Sequence, residues 1–542
     1  QVDYTTVTVL LTVLIGVGTD YSIFVIARHR EERINGLPLA EAIKKSVTWA
    51  GESIVTSGTT VIISFLALAT TSMVMLQTMG LIVGLGVIVT LLASLTVAPA
   101  LTAILGDRIF WPNSGKRFER YSKAILEKNN RKGGYFAKSG NFSVKHSKAI
   151  ILVAILVTVP TFYVYATTTQ TFDIIGSASD RLESISGMNT LTDSFGGGRM
   201  LPSYVVVTFS EPILYSNGSF NQNEMATLSE ISSYIGSHEG VDKVTAPTMP
   251  FGVAVDYQTI TNDSDSTTYS SMIGAIGSDN SSALITVQFR DDPYTTVAMD
   301  YAKDIRTYLH TNYDSAADVT GIYLGGTTGS ILDMRNNFDN EFNSILPVVA
   351  LGVGIVLFFV LGSLILPVFA VLSVLMSIVW TLAATIFVFQ SAFSYGLLFI
   401  TPLILFVLLL GLGMDYNIFI LTRIREEAAK GQKQNDAIVH AIQQTGGIIT
   451  AAAIILAGSL GALMLSSNLM MREMGFAFAF SILIDALVVR TYLVPAVMAA
   501  FGKWNWYNPI KRLRRVKDED LKANEKAAEN AAGQVETEHK PQ

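Results

Sequence analysis

Apolar and polar positions along this chain are segregated into long blocks. Nine apolar runs are each long enough to cross a hydrocarbon core of about 30 Å, which takes roughly 20 helical residues. They lie near residues 5–27, 53–74, 80–105, 148–167, 344–362, 364–389, 396–421, 448–467 and 473–500. A single long polar block, 168–343, separates the fourth run from the fifth, and the chain turns polar again over 501–542. Composition agrees with the pattern. Half of the 542 residues are hydrophobic, only 15% are charged, and mean hydropathy is +0.41. These values belong to a polytopic membrane protein. The chain has no cysteine, which excludes disulfides, thiolate catalysis and cysteine metal sites.

Charge placement gives an orientation that the net charge of −6 conceals. Arg28, Arg30, Arg33, Lys44 and Lys45 follow the first run, and Lys116, Arg117, Arg120, Lys123, Lys128, Arg131 and Lys132 follow the third. Arg423, Arg425, Lys430 and Lys433 follow the seventh, and Lys511, Arg512, Arg514 and Arg515 follow the ninth. The positive-inside rule puts all four groups on the cytoplasmic side, with the C-terminus inside and 168–343 outside. The uncharged turn Gly362-Ser363 is placed by parity alone, and Trp504, Trp506 and Tyr507 fall where an interfacial aromatic belt is expected. The polar block reads as a helix over 185–195 and a break at Gly196-Gly197-Gly198. There follow a strand (203–209), a helix (223–236), a strand (241–245) and an irregular stretch over 251–281. A strand (283–289), a helix (295–311) and a strand (318–325) complete it, and a helix from Gly329 runs into the fifth apolar run. That β-α-β-β-α-β order is the split βαβ, or ferredoxin-like, plan. Leu39–Thr48 and Asp436–Gln444 read as short helices lying on the cytoplasmic interface, and 516–542 as a frayed or disordered tail.

The apolar runs contain an internal repeat. Gly16-Val17-Gly18-Thr19-Asp20-Tyr21-Ser22-Ile23-Phe24 returns as Gly411-Leu412-Gly413-Met414-Asp415-Tyr416-Asn417-Ile418-Phe419 at an offset of 395 positions. At that offset Arg28 falls on Arg423, Arg30 on Arg425, Glu31-Glu32 on Glu426-Glu427, Gly51 on Gly446 and Met79-Gly80 on Met474-Gly475. Pro99 meets Pro495 after a slip of one residue. A duplicated membrane bundle therefore keeps an ionisable pair in each copy. A carboxylate near the centre of a span costs about 2.5–3.5 kcal/mol on insertion scales, and a nearby phenol hydroxyl bonds either of its protonation states. Adjacent helical residues point about 100° apart, so Asp20 can face Tyr416 while Tyr21 faces Asp415. Such a pair can relay protons; it can also be hydrogen-bonding glue between helices. Gly16, Gly18, Gly411 and Gly413 remove side chains where the helices approach. Asp485 is a third intramembrane acid, opposite Thr90 in the first repeat, with Arg490 five residues on. Thr56, Ser57, Thr59 and Thr60 make the second span rich in hydroxyls. They can line a water path, or they can bond back to their own helix. Arg423, Arg425, Glu426 and Glu427 read as solvated charges at a helix end.

The segments GVGTDYSIFVIARHREE and GLGMDYNIFILTRIREE resemble the fourth and tenth helices of resistance–nodulation–division (RND) exporters, most closely those of the MmpL branch. The resemblance extends to the polar domain and to Ile484–Pro495, which is similar to a twelfth helix. It implies a proton relay through Asp20, Tyr21, Asp415 and Tyr416, to which Asp485 is added. It also implies a chain starting at the fourth of twelve spans, without the first three spans and the first external domain. On this reading 1–105 is a first transmembrane repeat, 106–147 a basic cytoplasmic linker and 148–167 a seventh family helix. The external porter-like domain is then 168–343, the second repeat 344–500 and the cytoplasmic tail 501–542.

The expected protein is a polytopic α-helical membrane protein of the plasma membrane, carrying an inserted α+β ferredoxin-like extracytoplasmic domain. Its expected activity is export of lipids or other hydrophobic small molecules driven by the proton-motive force. Two other readings stay open, a protein-secretion motor of the SecD/SecF kind and a Patched-like lipid receptor that does not pump. No cofactor is expected, and H+ is the coupling ion, although Na+ can use the same carboxylates. Expected partners are membrane lipid or hydrophobic cargo, the N-terminal half of the same protein, and further copies in a homo-oligomer. No phosphate loop, metal-ligand spacing or nucleophile–base pair stands out, and the cationic residues have no aromatic interleaving, so neither an enzyme nor a nucleic-acid binder is indicated.

Overall fold

A computed structural model describes residues 4–111, 117–118, 120, 134–174, 176–178, 182–260, 267–393 and 395–507. Most of the basic stretch 116–132 and the tail 516–542 lie outside these residues. Among those described, nine helices are long and apolar enough to cross a membrane. In order they are Thr5–Ile34, Leu39–Leu68, Val74–Phe110, Ser147–Thr167 and Gly326–Leu361, then Ile365–Phe393, Ile400–Ala429, Gln434–Leu465 and Leu469–Phe501. They are numbered here as spans one to nine.

Two corrections follow. Leu39–Thr48 and Asp436–Gln444 are not separate interfacial helices. They are the opening turns of spans two and eight, which run unbroken from Leu39 and from Gln434. The residues between, Trp49-Ala50-Gly51-Glu52, include no proline, and one helical glycine costs only about 1 kcal/mol, too little to stop a cooperative helix. The second correction concerns 106–147. It holds an eleven-residue helix, Tyr135–Lys145, whose buried face of Ala137, Ser139, Gly140 and Ser143 packs on span eight and on the end of span nine.

Span seven is the axis of the bundle. Of its most apolar window 94% is buried, against 6% for span four, which therefore lies on the rim. Span two packs on spans one, three, five and seven, and span eight packs on spans one, seven and nine. The turn between spans five and six is specific. Gly362 takes the left-handed conformation (φ 62°) that ends a helix. Ser363 Oγ then accepts the amides of Ile365 and Leu366 and donates to the Asn505 carbonyl at 2.6 Å.

The polar block contains four strands, β2 (Ser203–Phe209), β3 (Val241–Thr245), β4 (Ser282–Phe289) and β5 (Val319–Gly325). They form one antiparallel sheet in the order β3-β4-β2-β5. Helices Gln222–Ser237 and Thr296–Tyr313 join β2 to β3 and β4 to β5, so the chain order is β-α-β-β-α-β. Strand alternation sends Val205, Val207, Ile285 and Val287 inward onto Leu228, Ile231, Met299 and Ile305. The stretch expected to be irregular holds a short helix, Thr267–Ile273. A second, two-stranded sheet pairs β1 (Gln170–Thr171) with β6 (Leu397–Leu398) in parallel. It ties the base of the polar domain to the start of span seven. There Glu473, fully buried in the first turns of span nine, accepts the Leu398 amide at 3.2 and 3.3 Å.

Candidate functional site at the interface of the repeats

Spans one and seven bring the two Asp-Tyr pairs together inside the bundle. Asp20, Tyr21, Asp415 and Tyr416 are all buried, at 2%, 0%, 4% and 1% exposure. The Tyr416 hydroxyl donates to Asp20 Oδ2 at 2.5 Å, joining the second repeat to the first. The expected reciprocal bond is not made. Tyr21 instead accepts from the Ser57 hydroxyl of span two at 3.2 Å. Ser57 also stands beside Asp415, yet among the described residues neither carboxylate oxygen of Asp415 has a hydrogen-bond partner. The two carboxyl groups of the site thus hold different environments, Asp20 bonded by a phenol and Asp415 beside the Ser57 hydroxyl.

Arg490 completes the site. Its guanidinium carbon lies 4.2 Å from the centroid of the Tyr416 ring. One nitrogen donates to the Gly413 carbonyl at 2.7 Å and to Asp485. Desolvated cation–π contacts of this kind contribute about 2 kcal/mol. Asp485 and Arg490 are five residues apart, a spacing that an α-helix separates by about 140°. They meet because Asp485–Leu493 is π-helical, and Val494 N–H bonds back to the Val489 carbonyl, five residues away. The charge of Arg490 was legible in the chain. Its alignment was not, because that depends on the π stretch.

The helix-packing glycines divide. A Cβ on Gly16 would meet Leu456 Cδ1 at 2.6 Å, and one on Gly411 would meet Val61 Cα at 3.2 Å. At Gly18 the nearest atom is Thr90 Cγ2 at 3.3 Å, while Gly413 has only ordinary contacts from 3.6 Å. So Gly16 and Gly411 sit at close approaches and Gly413 does not. The hydroxyls of span two divide as well. Thr56 donates to the Glu52 carbonyl at 2.8 Å, and Thr59, partly exposed, donates to the Val55 carbonyl at 2.8 Å. Thr60 bonds the Ser57 carbonyl at 2.7 Å and reaches the Gly411 carbonyl of span seven at 3.2 Å. Of these four, Thr60 bonds across to the other repeat, while Ser57 serves Tyr21 within the first.

At the ends of span seven and span one, Glu427, expected to be solvated, is buried, and so is Glu32, its repeat counterpart. Glu32 and Glu427 are 2% and 1% exposed at their side chains. Glu32 pairs with Arg28 at 2.8 Å and Lys45 at 2.9 Å, and Glu427 pairs with His440 at 2.8 Å and Lys430 at 3.0 Å. Arg425 donates to the Leu361 carbonyl at 3.1 Å. Each glutamate is close enough to the helix core that only a paired carboxylate is tolerated there. Lys45 and His440 are repeat counterparts, so each buried glutamate meets a side chain from the next helix at the same position. Two buried polar groups lay beyond the sequence reading. One is Glu473, hidden because its place at the start of an apolar run looked like a helix end. The other is Asn417, 1% exposed, two residues on from Asp415.

The chain matches the MMPL family over residues 1–150 and 189–522. It belongs to that family. Among its curated relatives is a Streptomyces coelicolor membrane protein, 28% identical over 504 residues, covering 92% of this chain and 54% of that protein. The apo-petrobactin exporter of Bacillus anthracis is 23% identical over 517 residues, with 94% and 64% covered. The heme uptake protein MmpL11 of Mycobacterium tuberculosis is 26% identical over 517 residues, with 91% and 48% covered. The chain therefore spans from about half to under two thirds of the length of these MMPL relatives. A multi-pass membrane protein of a transporter family accounts for the nine apolar helices.

Proposed function

We propose that this MMPL chain is the proton-driven part of an exporter of lipids or other hydrophobic small molecules. The observation that carries the reading is the buried site in which Tyr416 serves Asp20, Asp415 stands beside Ser57, and Arg490 lies over Tyr416. Four ionisable groups and a guanidinium inside a bundle are costly, and in membrane proteins such groups mark ion pathways. Asp20, Tyr21, Asp415, Tyr416 and Asp485 are the relay in this reading, with H+ as the coupling ion and no further cofactor. One proton crossing 100 mV supplies about 2.3 kcal/mol. Loading Asp415 from one side and releasing from the Asp20–Tyr416 pair to the other would shift one repeat against the other. Thr60 and the Tyr416–Asp20 bond supply the polar contacts between them, Ser57 stands beside Tyr21 and Asp415, and Thr56 and Thr59 stay outside the path.

In this reading 168–343 is extracytoplasmic, supported by the basic residues on the opposite ends of the spans. The strand order and the β-α-β-β-α-β chain order support a ferredoxin-like domain. That domain is joined to the relay helix through β1 and β6, a path by which a shift of span seven reaches it. The names of two relatives extend the cargo class to apo-petrobactin and heme. The plasma membrane, cargo lipid, the N-terminal part of a longer protein and further copies of the chain are its proposed surroundings.

The test uses the full-length gene product and an Asp415→Asn variant of equal abundance. Surface-exposed lipids are compared in cells carrying each, with and without an uncoupler. Loss of the same lipid on substitution and on uncoupling is the expected result. A lipid profile that answers neither overturns the reading; precursor proteins accumulating in its place would point to a secretion motor, and intact function with Asp20 and Asp415 both neutralised to a lipid receptor.

A further inference from the structure

The two repeats are in register at Gly80 and Gly475 but one residue out of register at Pro99 and Pro495. The second repeat therefore carries one extra residue between 475 and 495. The π-helical stretch Asp485–Leu493 lies inside that interval. A turn closed by i→i+5 bonds accommodates one more residue than an α turn, so the π stretch is where the insertion is absorbed. Span three, its counterpart, runs as an α-helix from Val74 to Leu105, with Thr90 in the place of Asp485. The insertion has a chemical consequence, because only in the π register do Asp485 and Arg490 share a face. Relaxed to an α register, Arg490 would turn by about 100° from its place over Tyr416.

A π turn is strained relative to α and persists where its surroundings hold it. Three contacts do so here. Thr491 Oγ1 donates to the Ala486 carbonyl at 3.0 Å, across five residues. Ser143 Oγ, fully buried on helix Tyr135–Lys145, donates to the Thr491 carbonyl at 3.3 Å and to its own Ser139 carbonyl at 2.8 Å. Tyr135 and Tyr492 join hydroxyls at 3.0 Å. The helix itself is seated on span eight. The Phe136 ring covers Gly446, where a Cβ would come within 2.4 Å of it, and the Cβ position of Gly140 lies 3.3 Å from Val439 Cα. Gly51, the counterpart of Gly446, meets only Leu95, at 3.6 Å.

We propose that helix Tyr135–Lys145 is a fixed brace that holds span nine in its π register and thereby sets Arg490 against Asp485, Gly413 and Tyr416. Ser143 and Phe136 are its positioning residues. The brace serves the second repeat alone, and it makes the cytoplasmic segment between the repeats part of the relay's geometry. The proposal rests on the proton-relay reading for its consequence, not for its geometry.

The test has two readouts on the full-length protein. In nanodiscs, amide hydrogen exchange over 486–493 is compared among the wild type, Ser143→Ala, Ser143→Thr and Phe136→Ala. Exchange about fivefold faster or more is expected in Ser143→Ala and Phe136→Ala, with Ser143→Thr near the wild type. Unchanged exchange in both alanine variants overturns the brace. In cells, surface-lipid export is followed across external pH. The same two variants are expected to displace its pH midpoint by about half a unit or more, since a moved guanidinium changes the field at the carboxyls. An unmoved midpoint at equal abundance overturns the positioning role. The chain has no cysteine of its own. A Gly140→Cys/Val439→Cys pair can therefore be oxidised without a competing thiol in these 542 residues, any cysteine elsewhere in the full-length protein being replaced by serine first. Export is expected to survive the cross-link and to recover in Phe136→Ala carrying it; export stopped by the cross-link would make the helix a moving part and end the proposal. Asp415→Asn and an uncoupler run alongside. If neither alters export, the relay reading has failed, and hydrogen exchange still decides the brace.

Discussion

The two Asp-Tyr motifs share a sequence plan and end in unlike surroundings. In the first repeat, Asp20 receives the Tyr416 hydroxyl and Tyr21 receives Ser57. In the second, Asp415 has no hydrogen bond among the described residues, and Tyr416 carries Arg490 on its ring. The cause lies outside the motifs. Span nine supplies Asp485 and Arg490, whereas its counterpart, span three, supplies Thr90, which bonds its own Gly86 carbonyl at 3.0 Å. The two acid–phenol pairs share a sequence plan, and the Asp485–Arg490 pair of span nine makes their surroundings unlike. In the relay reading that difference gives loading and release different partners, while the gradient sets the direction.

The most forceful way to break the difference is to remove Arg490. Arg490→Ala leaves Asp485 buried without its cation, and breaking a buried pair from one side costs about 3–5 kcal/mol. Low abundance and an early thermal midpoint in detergent are expected by fluorescence-detected size exclusion. The double change Asp485→Thr/Arg490→Met makes the second repeat resemble the first. It should recover most of the stability and none of the export; recovered export would show the pair to be structural only.

A smaller contrast separates the two phenols. Tyr416→Phe removes the hydroxyl that serves Asp20 and should cost about 1.5–3 kcal/mol if the carboxylate is charged. Tyr21→Phe removes an acceptor for Ser57 and should cost about 0.5–1.5 kcal/mol. Equal thermal shifts for the two would refute the asymmetry. Glycines give a contrast of similar size. A Cβ on Gly80 would press the Phe65 carbonyl at 2.5 Å, and one on Gly475 the Met464 amide at 2.7 Å, both backbone atoms that cannot step aside. Overpacking at Gly80→Ala and Gly475→Ala should cost about 1–3 kcal/mol. At Gly413 a Cβ would make only ordinary van der Waals contacts, the nearest Leu409 Cγ at 3.6 Å, and Gly413→Ala should be neutral or stabilise by up to about 1 kcal/mol.

Much of this was legible in the chain. Nine apolar runs become nine spanning helices, and the strands at 203–209 and 241–245 have the bounds that alternation predicts. Blocks of apolar residues and alternation are local signals, and local signals survive folding. Asp20 and Tyr416 were foreseen as neighbours because the repeat itself states which helices must face each other. What escaped was set by partners far along the chain. Glu427 looks like a solvated end until His440 arrives from the next helix. Arg490 looks misaligned with Asp485 until a one-residue slip is resolved as a π turn. The segment 106–147 looks like a linker because its short helix Tyr135–Lys145 draws its stability from span eight, not from propensity.

The smallest effect separates Thr59 from Thr60, neighbours on span two that the sequence treats alike. Thr60 is fully buried, and its hydroxyl reaches the Gly411 carbonyl in the other repeat. Its bond is lost in Thr60→Ala, which leaves a carbonyl at the helix interface with one partner fewer, a change of about 1 kcal/mol. Thr59 is partly exposed and bonds only the Val55 carbonyl of its own helix. Back-bonding of that kind contributes little, so Thr59→Ala should stay within about 0.5 kcal/mol and leave export unchanged. The comparison is diagnostic because a water path along span two would need both hydroxyls, while contact between the repeats needs one. Thermal midpoints of the two variants, measured with export in the same cells, decide it. A loss of export in Thr59→Ala at full stability would put the proton route on the partly exposed face of span two, away from Ser57 and Thr60. The polar join between the repeats would then be packing, and the inequivalence of Asp20 and Asp415 would have to act along a different line.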